Sequence, residues 1–148
     1  KVNLTGAYHC CKVFLPGMVA AGRGRVINIA STAAKTGYSH VAAYTASKHG
    51  LLGLTRALAV EFARAGVTVN AICPGYVDTG LTRANARSMA EKTNQPVERV
   101  LELFKKTSPQ NRLIAPEEVA ELALLLASDS AGGITGQAID VDGGAVMA

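Results

Sequence analysis

Two short runs that are apolar on both faces bracket one long helical stretch. The first is Arg25-Val26-Ile27-Asn28-Ile29-Ala30, the second is Thr68–Cys73, and residues 44–65 lie between them. A run apolar on both faces reads as a strand inside a parallel sheet, covered by helices above and below. Parallel neighbours cannot be joined by a tight hairpin; they need a long crossover, and the stretch from Tyr44 to Ala65 supplies it. Strand, helix, strand is then one right-handed β-α-β unit. These runs predict an α/β chain built on a doubly wound parallel sheet, with any ligand at the carboxyl ends of the strands.

The crossover helix carries few charges (Lys48, Arg56, Glu61, Arg64) among Ala, Leu and Gly. A helix apolar most of the way round is buried on several sides. The sheet covers part of it, and the remainder predicts a partner helix from another subunit. Gly66 is the expected C-terminal stop.

Around the crossover the chain reads as follows. Residues 1–22 read as a helix entered partway along, with a kink or break expected near Pro16-Gly17. Two short helices are expected at about 84–92 and 96–106, within a polar stretch suited to a lid over the strand ends. Pro116-Glu117-Glu118 opens a further helix running to about Ala127, and Gln137–Val141 is a third strand. Asp129–Gly133 reads as a loop.

Chemistry concentrates in Ser31–Lys48. Ser31 closes the first strand, and Tyr44 and Lys48 sit four apart at the start of the long helix. Positions i and i+4 share a helix face, so phenol and ammonium point the same way. A free tyrosine, with a pKa of about 10, is a poor acid-base catalyst at neutral pH, and a cation beside it favours the phenolate. The Ser31 hydroxyl, brought in from the strand end, can hold a substrate oxygen next to the phenol. Tyr-x-x-x-Lys alone is a weak signal and fits a solvated helix edge equally well. The preceding strand ending in Ser31 and the second strand running into Pro74-Gly75 are what raise it.

Composition narrows the classes. The net charge of +4 is spread along 148 residues without dense Lys/Arg runs or interleaved aromatics, which argues against a nucleic-acid partner. Cys10, Cys11 and Cys73 make an odd count with no Cys-x-x-Cys spacing, and His9, His40 and His49 share no ligand pattern. No metal site is expected, and a reducing cytoplasm is the simplest setting. The longest apolar runs are too short to span a bilayer, so no membrane role is expected.

The segments Asn3-Leu4-Thr5-Gly6, Ile27-Asn28-Ile29-Ala30-Ser31, Tyr44-Thr45-Ala46-Ser47-Lys48, Val69-Asn70-Ala71-Ile72-Cys73-Pro74-Gly75 and Gly136–Gly144 resemble, in order and spacing, the short-chain dehydrogenase/reductases. The resemblance implies a Rossmann-type fold and hydride transfer between NAD or NADP and a small-molecule carbonyl or secondary alcohol. It implies that Tyr44 gives or takes the oxygen-bound proton. Lys48 lowers the Tyr44 pKa and contacts the nicotinamide ribose, Ser31 holds the substrate oxygen, and Asn3 holds a relay water. Read without the family, Asn3 is an amide bonded to nearby backbone. Tyr44, Lys48, Pro74, Gly75, Val77 and Thr79 are implied as cofactor-binding positions, Val77 by its backbone and Thr79 by its hydroxyl. The motifs look most like those of 3-oxoacyl-thioester reductases and 3-hydroxybutyrate dehydrogenases, with polyketide ketoreductases near. A homotetramer or dimer is implied.

The family's Gly-rich nucleotide loop and its Asn-Asn-Ala-Gly segment have no counterpart in the chain. Residues 1–148 are therefore expected to be the C-terminal catalytic part of one Rossmann-type reductase domain, about 100 residues shorter than the family's chains. The rival expectation is an inactive truncated domain, at most a helix-mediated oligomerisation module.

Overall fold

The computed structural model describes residues 1–147. Three parallel strands form one sheet in the order β1 (Gly24–Ile29), β2 (Val67–Pro74), β3 (Ala138–Val141). In the register, Gly24 through Ile29 lie beside Val67 through Ile72, and Ala71 through Pro74 lie beside Ala138 through Val141. Every residue of β2 is buried, as a strand with two neighbours and two covered faces must be.

Side chains alternate along β2. Val67, Val69, Ala71 and Cys73 face two helices, α1 (Ala7–Ala20) and α2 (Ala42–Phe62). At one end of that face Cys11, Leu15 and Ala59 close over Val67 and Val69. At the other end Leu51, Leu52, Ala30 and Ala34 close over Ala71 and Cys73. The α2 crossover is thus fixed along its whole length, which fixes the height of Tyr44 and Lys48 above the strand ends. Asn28, buried on this face, donates to Thr55 Oγ1 at 2.9 Å, and Thr55 in turn donates to the Leu51 carbonyl at 2.8 Å. α5 (Pro116–Ala127) packs against β1 and β2. Its start is held by Glu118, which accepts from the Ala115 N–H at 2.7 Å and forks with Arg112 at 2.6 and 2.8 Å. Those partners, the Arg112 bonds first, hold the Glu118 carboxyl at about 2.

Gly66 ends the helical segment with φ +73°, and a Cβ there would run into the Gly22 carbonyl. The stop expected from sequence therefore also serves as a close-approach point, because the Gly24 N–H bonds the Gly66 carbonyl at 3.3 Å to start the β1–β2 ladder.

Two expectations change. α1 runs through Pro16 to Ala20 without a break. The carbonyl that Pro16 deprives of a partner belongs to exposed Lys12, where water can satisfy it. The irregularity lies instead at Val2–Gly6, one turn of π-helix closed by a Gly6 N–H to Lys1 carbonyl bond of 3.1 Å. Asp129–Ala131, read as loop, forms a 3₁₀ turn.

The polar stretch after β2 forms α3 (Gly80–Thr93), which starts earlier than expected, and α4 (Val97–Lys105), which matches the expected helix to within one residue at each end. They pack on each other through their own cluster of Ala86, Ala90, Val100 and Phe104.

Candidate active site

The carboxyl ends of β1 and β2 meet the first turns of α2. Ser31 follows β1 after the single residue Ala30 and caps a 3₁₀ turn, Thr32–Ala34, by accepting from the Ala33 N–H at 3.1 Å. That bond uses one lone pair; the hydroxyl keeps its hydrogen and a second lone pair for another partner. Lys48 reaches back from α2 and donates to the Ile29 carbonyl at 2.8 Å. Its Nζ lies 5.7 Å from the centre of the Tyr44 ring. Burial lowers the Lys48 pKa from its ordinary value. Ser31, Tyr44 and Lys48, separated in sequence, therefore share one end of the sheet.

Asn3 sits in the π-helical turn and donates from Nδ2 to Ser47 Oγ at 3.2 Å. Ser47 in turn donates to the Tyr44 carbonyl at 2.6 Å. Asn3 thus joins the cluster through the residue next to Lys48, beside a shallow hollow lined by Lys1, Val2, Ala43, Tyr44 and Ser47. A π-turn adds a residue to the helix and re-aims the side chains in it, and such turns recur at functional sites.

Pro74 ends β2, and Gly75 lies so close to Asp142 that a Cβ would meet the Asp142 Cβ at 3.0 Å. Val77 bridges to Ile114, an arrangement that uses the neighbouring Tyr76 carbonyl and Asp78 N–H. Thr79 spends its hydroxyl as the N-cap of α3, accepting from the Thr82 N–H at 3.3 Å.

Three features escaped the sequence reading. Tyr76, half-exposed, stacks on Phe104 with ring centres 4.2 Å apart and planes 7° from parallel. Burial raises its pKa, with Tyr38 and Tyr44 adding in the same direction, so three phenols gather at this end of the sheet. Tyr38 donates to Thr32 Oγ1 at 3.1 Å. Lys35 Nζ and Asp140 Oδ2 form a 2.6 Å ion pair under the Ser31 turn. The only available signal for the stack was an aromatic directly after Pro74-Gly75. Among the described residues no group of three or more His, Cys, Asp or Glu could hold a metal ion, and no helix is long and apolar enough to cross a membrane.

Comparison with known proteins gives consistent matches. The family model described as enoyl-(acyl carrier protein) reductase matches residues 1–146. An uncharacterised oxidoreductase, YxjF, of Bacillus subtilis (strain 168) is 44% identical over 145 residues, covering 97% of this chain and 56% of the relative. A D-beta-hydroxybutyrate dehydrogenase of Cupriavidus necator is 40% identical over 144 residues, with the same coverage of 97% and 56%. Among solved structures, a variant of actinorhodin polyketide ketoreductase with NADPH superposes with a TM-score of 0.91 at 41% identity. That match covers 97% of this chain and 56% of the other. The chain thus spans about half the length of the relatives it matches.

Proposed function

The chain belongs to the short-chain dehydrogenase/reductase family, and from that premise we propose that the protein transfers hydride between NAD or NADP and a carbonyl or secondary alcohol of the 3-oxoacyl-thioester or 3-hydroxy acid type. The observation that carries this is the meeting of Ser31, Tyr44 and Lys48 at the strand ends, with the Lys48 ammonium bonded to the Ile29 carbonyl and held beside the Tyr44 ring.

The residues present fit the nicotinamide-ribose end of such a cofactor. Lys48 has three N–H donors and spends one on Ile29, leaving two for ribose hydroxyls. The Val77 N–H is not used in the bridge to Ile114 and has no partner among the described residues, which leaves it as a backbone donor for a carboxamide above the Pro74-Gly75 turn. The Thr79 hydroxyl caps α3 and shares a 3.3 Å hydrogen bond with the Thr82 hydroxyl, and when Thr82 donates in that bond the Thr79 hydrogen is left for the carboxamide. When bound, the cofactor supplies or accepts the hydride.

In the reduction direction Tyr44 donates its phenolic proton to the substrate oxygen. Ser31 donates its hydroxyl hydrogen to the same oxygen and so positions it. Lys48, positive and partly desolvated, favours the phenolate left behind. Asn3, tied to Ser47, holds a water through which a proton from solvent passes by way of Lys48 to restore the Tyr44 phenol. Tyr76 on the Phe104 ring walls the substrate side and joins it to the lid of α3 and α4. The substrate class is supported by two of the relatives, which bear the names of a hydroxybutyrate dehydrogenase and a ketoreductase.

The test is a spectrophotometric assay on the gene-encoded protein, with NADH or NADPH and an acetoacetyl thioester, and with 3-hydroxybutyrate and the oxidised cofactors. Turnover is expected with at least one pair. Absence of turnover together with no quenching or shift of bound-cofactor fluorescence would sink the reading.

We also propose that the outward faces of α1 and α2 pair with a second copy, in a homodimer or tetramer. Val13, Phe14 and Val60 are 71%, 62% and 83% exposed on these two helices, with Gly53 and Ala57 leaving room for close approach. Light scattering behind size exclusion is expected to give a dimer or tetramer for the gene-encoded protein. Phe14→Glu with Val60→Glu is expected to halve the mass, and a monomeric parent would end the proposal.

A further inference from the structure

The Lys35–Asp140 pair joins residues 105 apart in sequence, and its side chains are only 13% and 17% exposed. Taking both charges out of water is expensive, and an apolar pair of similar volume usually serves stability as well. Asp140 makes matters worse for itself: Oδ1 is buried without a hydrogen-bond partner among the described residues, so the carboxylate leans on Lys35 alone. A pair that is a poor stabiliser at this depth calls for a geometric reason.

Its location supplies one. Lys35 ends the turn that Ser31 begins. Within that turn Ala34 N–H bonds the Ser31 carbonyl at 2.9 Å, Lys35 N–H bonds the Thr32 carbonyl at 3.0 Å, and Ala33 N–H bonds Ser31 Oγ. Asp140 lies on β3 as the register partner of Cys73 on β2. Cys73 is fully buried, and one residue before each of Ser31 and Cys73 the Ala30 N–H bonds the Ile72 carbonyl at 2.7 Å. The connections close a ring: Ser31 to Lys35 along the turn, Lys35 to Asp140 by the ion pair, Asp140 to Cys73 across the ladder, and Cys73 back to Ser31 through the Ile72–Ala30 bond that precedes both.

We infer that Lys35 and Asp140 are positioning residues for Ser31, the ion pair tying the far end of the serine turn to β3 so that Ser31 Oγ stays in line with Tyr44. Neither side chain touches the reacting atoms. The inference rests on the reductase reading for its kinetic consequence and on the ring of contacts for its structural one. Without the tether, the turn keeps its own hydrogen bonds but can rock on Ser31, and a misplaced hydroxyl costs rate more than affinity.

The experiment compares Lys35→Met, Lys35→Arg and Asp140→Asn in the gene-encoded protein, each alone and combined with Ser31→Ala. Two quantities are read: kcat and KM with an acetoacetyl thioester, and hydrogen exchange at residues 33–35. Lys35→Met is expected to lower kcat about tenfold while KM moves less than about twofold. Lys35→Arg, which keeps the charge and the reach, is expected to restore most of the rate. In the Ser31→Ala background Lys35→Met is expected to change kcat by less than about twofold, because its effect passes through the missing hydroxyl. Exchange at residues 33–35 is expected to rise about tenfold with that of β2 unchanged.

A Lys35→Met effect of equal size with and without Ser31 would overturn the inference, and so would unchanged exchange at residues 33–35. If Lys35→Met does not fold, Lys35→Met with Asp140→Leu removes both charges and is read by the same criteria. If the parent itself turns nothing over, the function proposal fails separately, and exchange at residues 33–35 still decides whether the pair anchors the turn.

Discussion

Replacing Tyr44 by Phe is expected to lower kcat by about a thousandfold or more, since a positioned acid-base group contributes roughly 10² to 10⁴ in rate and Tyr44 is the phenol that Lys48 sits beside. The Thr32 hydroxyl beside Ser31 is buried and already receives the Tyr38 phenol at 3.1 Å. Ser31 has no base beside it: its oxygen accepts from the Ala33 N–H, and among the described residues no group takes its hydrogen. The substitution removes one exposed oxygen: Tyr44 is 42% exposed, and neither the Lys48 bond to Ile29 nor the Asn3–Ser47 bond involves the phenol. Folding stability is therefore expected to change by less than about 0.5 kcal/mol. Cofactor affinity, read by fluorescence titration, is expected to stay within about threefold, because Lys48 keeps its place. Residual turnover within about tenfold of the parent would remove Tyr44 from the proton step. Loss of cofactor affinity in parallel with turnover would make Tyr44 a binding residue instead.

Asn70→Leu is expected to destabilise the fold by roughly 2–4 kcal/mol, because two buried backbone groups lose their partner at once. Asn70 is 1% exposed at the centre of β2. Its Nδ2 donates to the Ile134 carbonyl at 2.7 Å, and its Oδ1 accepts from the Gln137 N–H at 3.1 Å. One side chain thus feeds both a donor and an acceptor in the loop that leads into β3. The neighbouring links are few: Val69 N–H to Thr135 Oγ1 at 3.1 Å, Gly136 N–H to the Val69 carbonyl at 2.8 Å, and Ala71 N–H to the Gln137 carbonyl at 2.8 Å. Leucine keeps the branched skeleton of asparagine but is larger by roughly two methylenes, so overpacking at this buried position adds to the loss of the hydrogen bonds. Urea unfolding of the gene-encoded protein is expected to show a lower midpoint at unchanged slope. A midpoint equal to the parent's would mean that residues 134 and 137 find other partners.

Much of this was legible from residue order. Unbroken apolar runs at 25–30 and 68–73 can be satisfied only by strands covered on both faces, and the structure places them side by side in parallel. Tyr44 and Lys48 four apart on a helix, with Ser31 ending the strand before, was enough to predict their meeting. What stayed hidden depends on three-dimensional company. Asp140 reads as one charge in an apolar strand, and nothing local says that its counter-ion is Lys35. Tyr76 and Phe104 stack across 28 positions, a distance over which sequence periodicity carries no information. The kink expected at Pro16 failed because a helix tolerates a missing bond on a wet face. The π-turn at Val2–Gly6 has no side-chain signature, and it is this turn that sets where Asn3 points.

The pairing of α3 and α4 on their own small cluster bears on how such a chain can change over generations. Ala86, Ala90, Val100 and Phe104 answer mainly to one another, and the clusters over β2 share none of them. Substitutions along the outer surface of this pair reshape what sits over the strand ends without re-solving the packing that holds Ser31, Tyr44 and Lys48 in register. Substrate range and foldability are therefore inherited on nearly separate ledgers, joined at the Tyr76–Phe104 contact, where a new preference has to be reconciled with an old scaffold.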